Sequence, residues 1–241
     1  MPPPGARAEK EITAFAEAMR AALGEELVSL VLHGSAAGDD WVAGQSDINT
    51  ALVVPRVTLA VLERLAPLVA RWRERGFALP VVMDDEYLRR ARDTFPMELD
   101  DISRQHRLLA GTDLFANLTL DPAALRRECE REARGKLLRL RALFLEVRGA
   151  PAIDRLMVES VKSFIVVLRH LLRLRHVDAG YGYGAVLADG EALLGPLPAI
   201  RKVLAHRAGD PRLPPAALRA EFGPYLAEVE RIVEAVDALD A

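Results

Sequence analysis

Apolar residues in the first half of the chain alternate between two kinds of pattern. Over residues 8–23, Ile12, Phe15, Met19 and Leu23 recur every three or four positions, which is one face of a helix, and Gly24 stands where a helix would end. Residues 27–32 instead form a short apolar run that stops at His33-Gly34-Ser35, and residues 48–54 form a second, so both read as buried strands. The intervening AAGDDWVAGQS is rich in glycine and aspartate and reads as a loop. Helical spacing resumes over residues 58–75 and stops at Gly76. Residues 79–83 then read as a third strand, 85–91 as a short helix, and 97–102 as a fourth strand following Phe95-Pro96.

After Asp121-Pro122, a capping residue followed by proline at a first helical position, the pattern is helical to the end. A domain boundary is expected there, giving a strand-containing part over 1–120 and an all-helical part over 121–241. Long helices over 123–147 and 152–176 flank Arg148-Gly149-Ala150-Pro151, and a last helix over 217–239 carries an expected interruption at Gly223-Pro224. The stretch AGYGYGAVLADGEALLG reads as a flexible connection, although its tyrosines are of a kind that can stack on a base. The fold class is α/β (α+β): a mixed sheet with helices, then an all-α helical bundle.

With 241 residues, 51% hydrophobic and 28% charged, the chain can supply two modest cores. A formal net charge of −3 gives no overall basic field, so binding of an extended nucleic acid is not expected and any polyanion site is local. The single cysteine, Cys129, excludes an intramolecular disulfide. The opening MPPPGARAEK lacks the apolar core of a signal peptide, and no run approaches the roughly 20 apolar residues that span a bilayer. A cytoplasmic protein without a membrane partner is expected, and a homodimer is left open.

The informative arrangement is a strand, Gly34-Ser35, eleven residues, and Asp47-Ile48-Asn49 entering a second strand. Gly34 lets backbone pass close to a ligand, and Ser35 offers a hydroxyl and an N–H where a phosphate oxygen can dock. Side chains on a strand alternate, so Asp47 and Asn49 share a face while Ile48, Leu52 and Val54 can turn to a core. The constellation resembles the signature of the polymerase β-like nucleotidyltransferases: a hydrophobic strand, Gly-Ser, about a dozen residues, and Asp-x-Asp or Asp-x-Glu. The resemblance covers residues 27–54 and implies a nucleotidyltransferase-type sheet followed by a helical domain, as in kanamycin nucleotidyltransferase-like enzymes.

It further implies transfer of a nucleoside monophosphate from an NTP to a hydroxyl acceptor on a small molecule or protein, with Mg²⁺ (or Mn²⁺) held by carboxylates. On that basis Gly34 and Ser35 bind the nucleotide phosphates, Asp47 is the first metal ligand, and Asn49 occupies the second carboxylate position. An amide there offers one neutral oxygen in place of a charged carboxylate, so metal affinity falls. A nucleotide-binding or partner-binding module without catalysis is therefore the rival expectation. The third carboxylate is sought among Glu98, Asp84, Asp85, Asp100 and Asp101. Glu98 is favoured as a catalytic and metal-binding residue, because a strand over 97–102 would turn it away from Met97 and Leu99.

The four lysines, Lys10, Lys136, Lys162 and Lys202, leave arginine to supply 28 of the 32 positive charges, so phosphate contacts should be mostly arginine. Arg127, Arg131, Arg134, Arg141 and Arg148 fall within a sector of roughly 100° on one helix. The stripe is either a solvated face paired with neighbouring acids or, through Arg131 and Arg134 above all, a surface that meets the nucleotide. Arg169 and His176 have the spacing of an Arg-x4–6-His motif and resemble the HEPN ribonucleases, a third function class. His33, His106 and His206 show no metal-binding spacing, and Cys129 reads as a small core residue.

Overall fold

A computed structural model describes residues 5–38 and 47–239, so the glycine- and aspartate-rich loop lies, over 39–46, outside the described residues. The chain divides into two compact units, Met1–Asp121 and Pro122–Ala241.

The first unit is built on α1 (Ala6–Leu23), β1 (Ser29–His33), β2 (Asn49–Val54), α2 (Leu59–Arg73), β3 (Val81–Asp84), α3 (Asp85–Arg90), α4 (Pro96–Arg104) and β4 (His106–Gly111). Its sheet has the order β3-β2-β1-β4 among the described residues; β1 is antiparallel to both neighbours, and β2 and β3 run parallel. The mixed sheet is set by alternation. Leu30, Leu32, Leu52 and Val54 enter one core with Ile12, Phe15, Met19 and Trp72, where Phe15 stacks on Phe77 with ring centroids 4.6 Å apart. Val31, Ala51 and Val53 enter a second core on the opposite face, against Leu88 of α3, Leu99 and Ile102 of α4, and Phe115. The helix starts follow from local chemistry. Thr58 caps α2 by accepting from the Val61 N–H, Asp84 caps α3 by accepting from the Tyr87 N–H, and Pro96 sits in the first turn of α4.

One expectation is overturned in this unit, the position of the fourth strand. Residues 97–102 are not a strand but the body of α4, whose buried Leu99 and Ile102 are spaced for a helix. The fourth strand is β4, at one edge of the sheet, with exposed Arg107 and Leu108 and a register shift opposite Leu30/Val31. Neither an apolar run nor clean alternation marks it.

The second unit contains α5 (Pro122–Glu146), α6 (Ala150–Leu174), α7 (Tyr183–Leu194), α8 (Pro198–Ala208) and α9 (Pro215–Asp237). Helix α6 is its centre, packing on α5, α7, α8 and α9 with Met157, Val161, Phe164, Ile165, Leu168, Leu171 and Leu172 all buried. The glycine-rich stretch is in large part helix α7 rather than a connection. Gly190 has a packing reason, because a Cβ there would lie 2.4 Å from a methyl of Leu168. Pro224 does not interrupt α9, where Leu218, Phe222, Tyr225, Val229 and Ile232 are buried on both sides of it. Among the described residues no helix is long and apolar enough to cross a membrane.

Candidate functional site at the end of the first strand

Strand β1 ends at His33 and the chain turns at once through a 3-10 segment, Gly34–Ala37, closed by the Gly38 N–H donating to the Ser35 carbonyl at 3.2 Å. Gly34 has φ +70°, and a Cβ on it would meet the Asn49 amide nitrogen at 3.2 Å. Both the left-handed backbone and the close approach of Asn49 therefore select glycine. Pairing of β1 with β2 sets His33 opposite Asn49, and pairing with β4 sets it opposite His106. Asp47 lies two residues before Asn49 and is exposed, whereas Ile48 between them is buried in the first core. Asp47, Asn49 and His33 thus belong to one face of the sheet, at the end where the chain turns through Gly34-Ser35.

This end of the sheet is electrostatically mixed. Burial lowers the His33 pKa to about 4; Asp101 opposes the shift, His106 adds to it, and a hydrogen bond to the Thr50 backbone opposes it. His33 is consequently neutral near pH 7. His106 has Nδ1 at 3.2 Å from the Ser103 carbonyl oxygen and Nε2 at 3.0 Å from both Asp113 carboxylate oxygens. Burial pushes the Asp113 carboxyl upward, but hydrogen bonds from His106 and from the Phe115 and Ala116 N–H groups outweigh it and hold the group below its ordinary range.

No protein-family model matches the sequence, and no curated protein matches it. Among solved structures, the chain is similar to spectinomycin adenyltransferase AAD(9) from Enterococcus faecialis with ATP and spectinomycin. The TM-score is 0.55 at 12% identity, over 95% of this chain and 99% of that one. The chain has a nucleotidyltransferase fold. The fold class expected from Gly34-Ser35 and Asp47 is the one observed, including a helical part after the mixed sheet.

Within this nucleotidyltransferase fold the expected site residues are distributed unevenly. Gly34 and Asn49 come together as described, with Ser35 next to Gly34 and Asp47 two residues before Asn49 in the chain. Glu98 is exposed in the first turn of α4, a helix and not the strand expected to carry it. Asp84 accepts from the Tyr87 N–H at 2.8 Å and the Val57 N–H at 3.3 Å, which hold its carboxyl below the ordinary range. Asp85 is exposed in the first turn of α3. Asp100 is buried and accepts from Arg104 Nε at 2.7 Å. Asp101, half-buried on α4, is the carboxylate whose charge acts on His33. His33, given no role from its spacing in the sequence, shares the face of Val31 by strand alternation, and the pairing of β1 with β2 makes that the Asn49 face.

In the second unit the arginine stripe is largely engaged by acids. Arg131 pairs with Glu128 and Glu132, Arg134 with Glu130 and Asp237, and Arg141 with Glu230, while Arg148 donates to the Leu145 and Val147 carbonyls. Arg169 is buried with its guanidinium 4.5 Å from the Tyr181 ring centre, and His176 is exposed beyond the end of α6. The two thus differ in exposure, one buried and the other at the surface. Tyr181 also lies beneath Arg173, and Tyr183 beneath Arg207, so both tyrosines carry cation–π contacts.

Proposed function

We propose that the chain binds a nucleoside triphosphate through its phosphates at Gly34-Ser35 and transfers the nucleoside monophosphate to a hydroxyl of a small-molecule acceptor. The observation that carries this reading is the left-handed turn at Gly34, which directs the chain into a 3-10 segment and lies against the Asn49 amide. The likeness to an adenyltransferase structure with ATP and spectinomycin supports a nucleotide donor and a small acceptor. In the reaction the acceptor oxygen attacks the α-phosphorus, the bond from that phosphorus to the bridging oxygen breaks, and pyrophosphate leaves while the hydroxyl proton is lost to a base.

Asp47, with its exposed carboxylate, and the Asn49 carbonyl oxygen are hard oxygen donors that fit Mg²⁺ or Mn²⁺, with one negative charge fewer than a carboxylate pair. The ion supplies charge neutralisation at the phosphates. For the third carboxylate, Glu98 and Asp101 lie three residues apart on α4 and so on adjoining parts of its surface. Asp101 is the stronger choice because its charge reaches His33, the cross-strand partner of Asn49. Loss of activity in Asp101→Asn with activity kept in Glu98→Gln is the expected result; the reverse assigns the role to Glu98.

The amide of Asn49 favours a second reading, a nucleotide-binding module without turnover. Mn²⁺ affinity and pyrophosphate release, measured for wild type, Asn49→Asp and Asp47→Ala, separate the two. Asn49→Asp should bind Mn²⁺ on the order of tenfold more tightly, since it adds a charged oxygen ligand. An enzyme gains turnover with it, and a binding module gains metal alone. Full metal binding by Asp47→Ala would refute the site.

A further inference from the structure

Gln105 ends α4 and leads into β4, whose first residue pairs with His33. Its side chain reaches back across the sheet end to the turn after β1, where Nε2 donates to the Gly34 carbonyl oxygen at 3.3 Å. Gly38 at the far end of the turn makes room for it: a Cβ built on Gly38 would lie 1.7 Å from that same Nε2 and 2.7 Å from Cδ. The amide therefore occupies the space that the bare backbone of Gly38 leaves. Its effect on the turn follows from peptide geometry. The Gly34 carbonyl and the Ser35 N–H belong to one planar trans peptide and point in opposite directions, so a donor that holds the oxygen also sets where the N–H points. Beside a glycine at φ +70° the backbone imposes little steric preference of its own on that plane.

We propose that Gln105 is a positioning residue for the phosphate turn, fixing the Gly34–Ser35 peptide plane so that the Ser35 N–H is presented to a phosphate oxygen, with Gly38 as the space it requires. The inference rests on the reading that the triphosphate docks at Gly34-Ser35. Its test uses the whole chain, with calorimetric affinities for Mg-ATP and Mg-tripolyphosphate, amide hydrogen exchange at Ser35, and melting temperature. Gln105→Glu keeps the shape but turns acceptor oxygens toward the Gly34 carbonyl. Both ligands should bind about five- to tenfold more weakly and Ser35 should exchange faster, with the melting temperature unchanged. Gly38→Ala should weaken binding as Gln105→Ala does, and the pair should be no worse than Gln105→Ala alone, because the added methyl then has space. Gln105→Glu with wild-type affinity and wild-type exchange, or additive losses in the pair, overturns the role of Gln105. Gly34→Val distinguishes that failure from failure of the site. If Gly34→Val abolishes binding, the phosphate site stands whatever Gln105 does; if it binds as wild type, the phosphate site falls and the inference with it.

Discussion

Three side chains show how strongly placement governs chemistry at the scale of single residues. His33 is held neutral chiefly by burial, with a folded-state pKa of about 4 against an ordinary 6.5. Between those values the unfolded chain binds the proton more readily, so the stability His33 contributes is complete above about pH 6.5 and is lost as the pH falls toward 4. The loss is on the order of 3 kcal/mol at its fullest. Urea unfolding from pH 7 to 4 should show this slope in wild type and a shallower one in His33→Gln; equal slopes would mean that His33 is not the group titrating. Cys129 is buried, and burial, then Glu128 and Glu132, push its thiol up to about 12. Alkylation by iodoacetamide at pH 8 should therefore be at least about a hundredfold slower in the native protein than in urea. The turn at Gly34 and the strand that begins at Asn49 were legible in the sequence because each rests on local backbone or strand alternation. The environment of His33 was not, since Asp101 and His106 reach it only through tertiary contacts.

At the scale of elements, ends and edges carry the exacting requirements. Gly111 closes β4 at φ +75°, and a Cβ there would sit 2.1 Å from the Val28 carbonyl oxygen. Gly111→Ala should destabilise the first unit by on the order of 3 kcal/mol, from left-handed strain plus a backbone clash, and a loss under about 1 kcal/mol in urea unfolding would contradict the packing described. In the second unit the buried carboxylate of Glu228 on α9 accepts from the Ala199 and Ile200 N–H groups at 2.9 and 2.8 Å, capping the start of α8. Glu228→Ala orphans both donors and should cost about 2 to 3 kcal/mol, with Glu228→Gln milder because one acceptor oxygen is kept. The long amphipathic helices and the two central strands were readable from periodicity. Helix α8 and strand β4 were not, as α8 depends on a cap supplied from α9 and β4 is a mostly exposed edge.

At the scale of the whole molecule, charge and packing separate what a linear chain reveals from what folding adds. The formal charge of −3 leaves no broad basic field, so a 30-nucleotide RNA should not be shifted by micromolar protein at 0.15 M salt. The arginines that looked available along α5 illustrate the limit. Arg131, Arg134 and Arg141 share a sector by helical geometry, but their acids include Glu230 and Asp237 from α9. Charge reversal at Arg131 and Arg134 separates the expectations: a salt-dependent loss of Mg-ATP affinity supports phosphate contact, and unchanged affinity leaves only the ion-paired face. By itself the sequence determined the mixed-sheet and helical classes, the turn at Gly34-Ser35 and the shared face of Asp47 and Asn49, because these follow from periods of two and 3.6 and from glycine's backbone. Only the tertiary structure decided that residues 97–102 are helix, that Gln105 reaches Gly34, and which carboxylate acts on His33. Those outcomes depend on what lies across the sheet from each residue, and neighbours distant in sequence leave no local pattern in it.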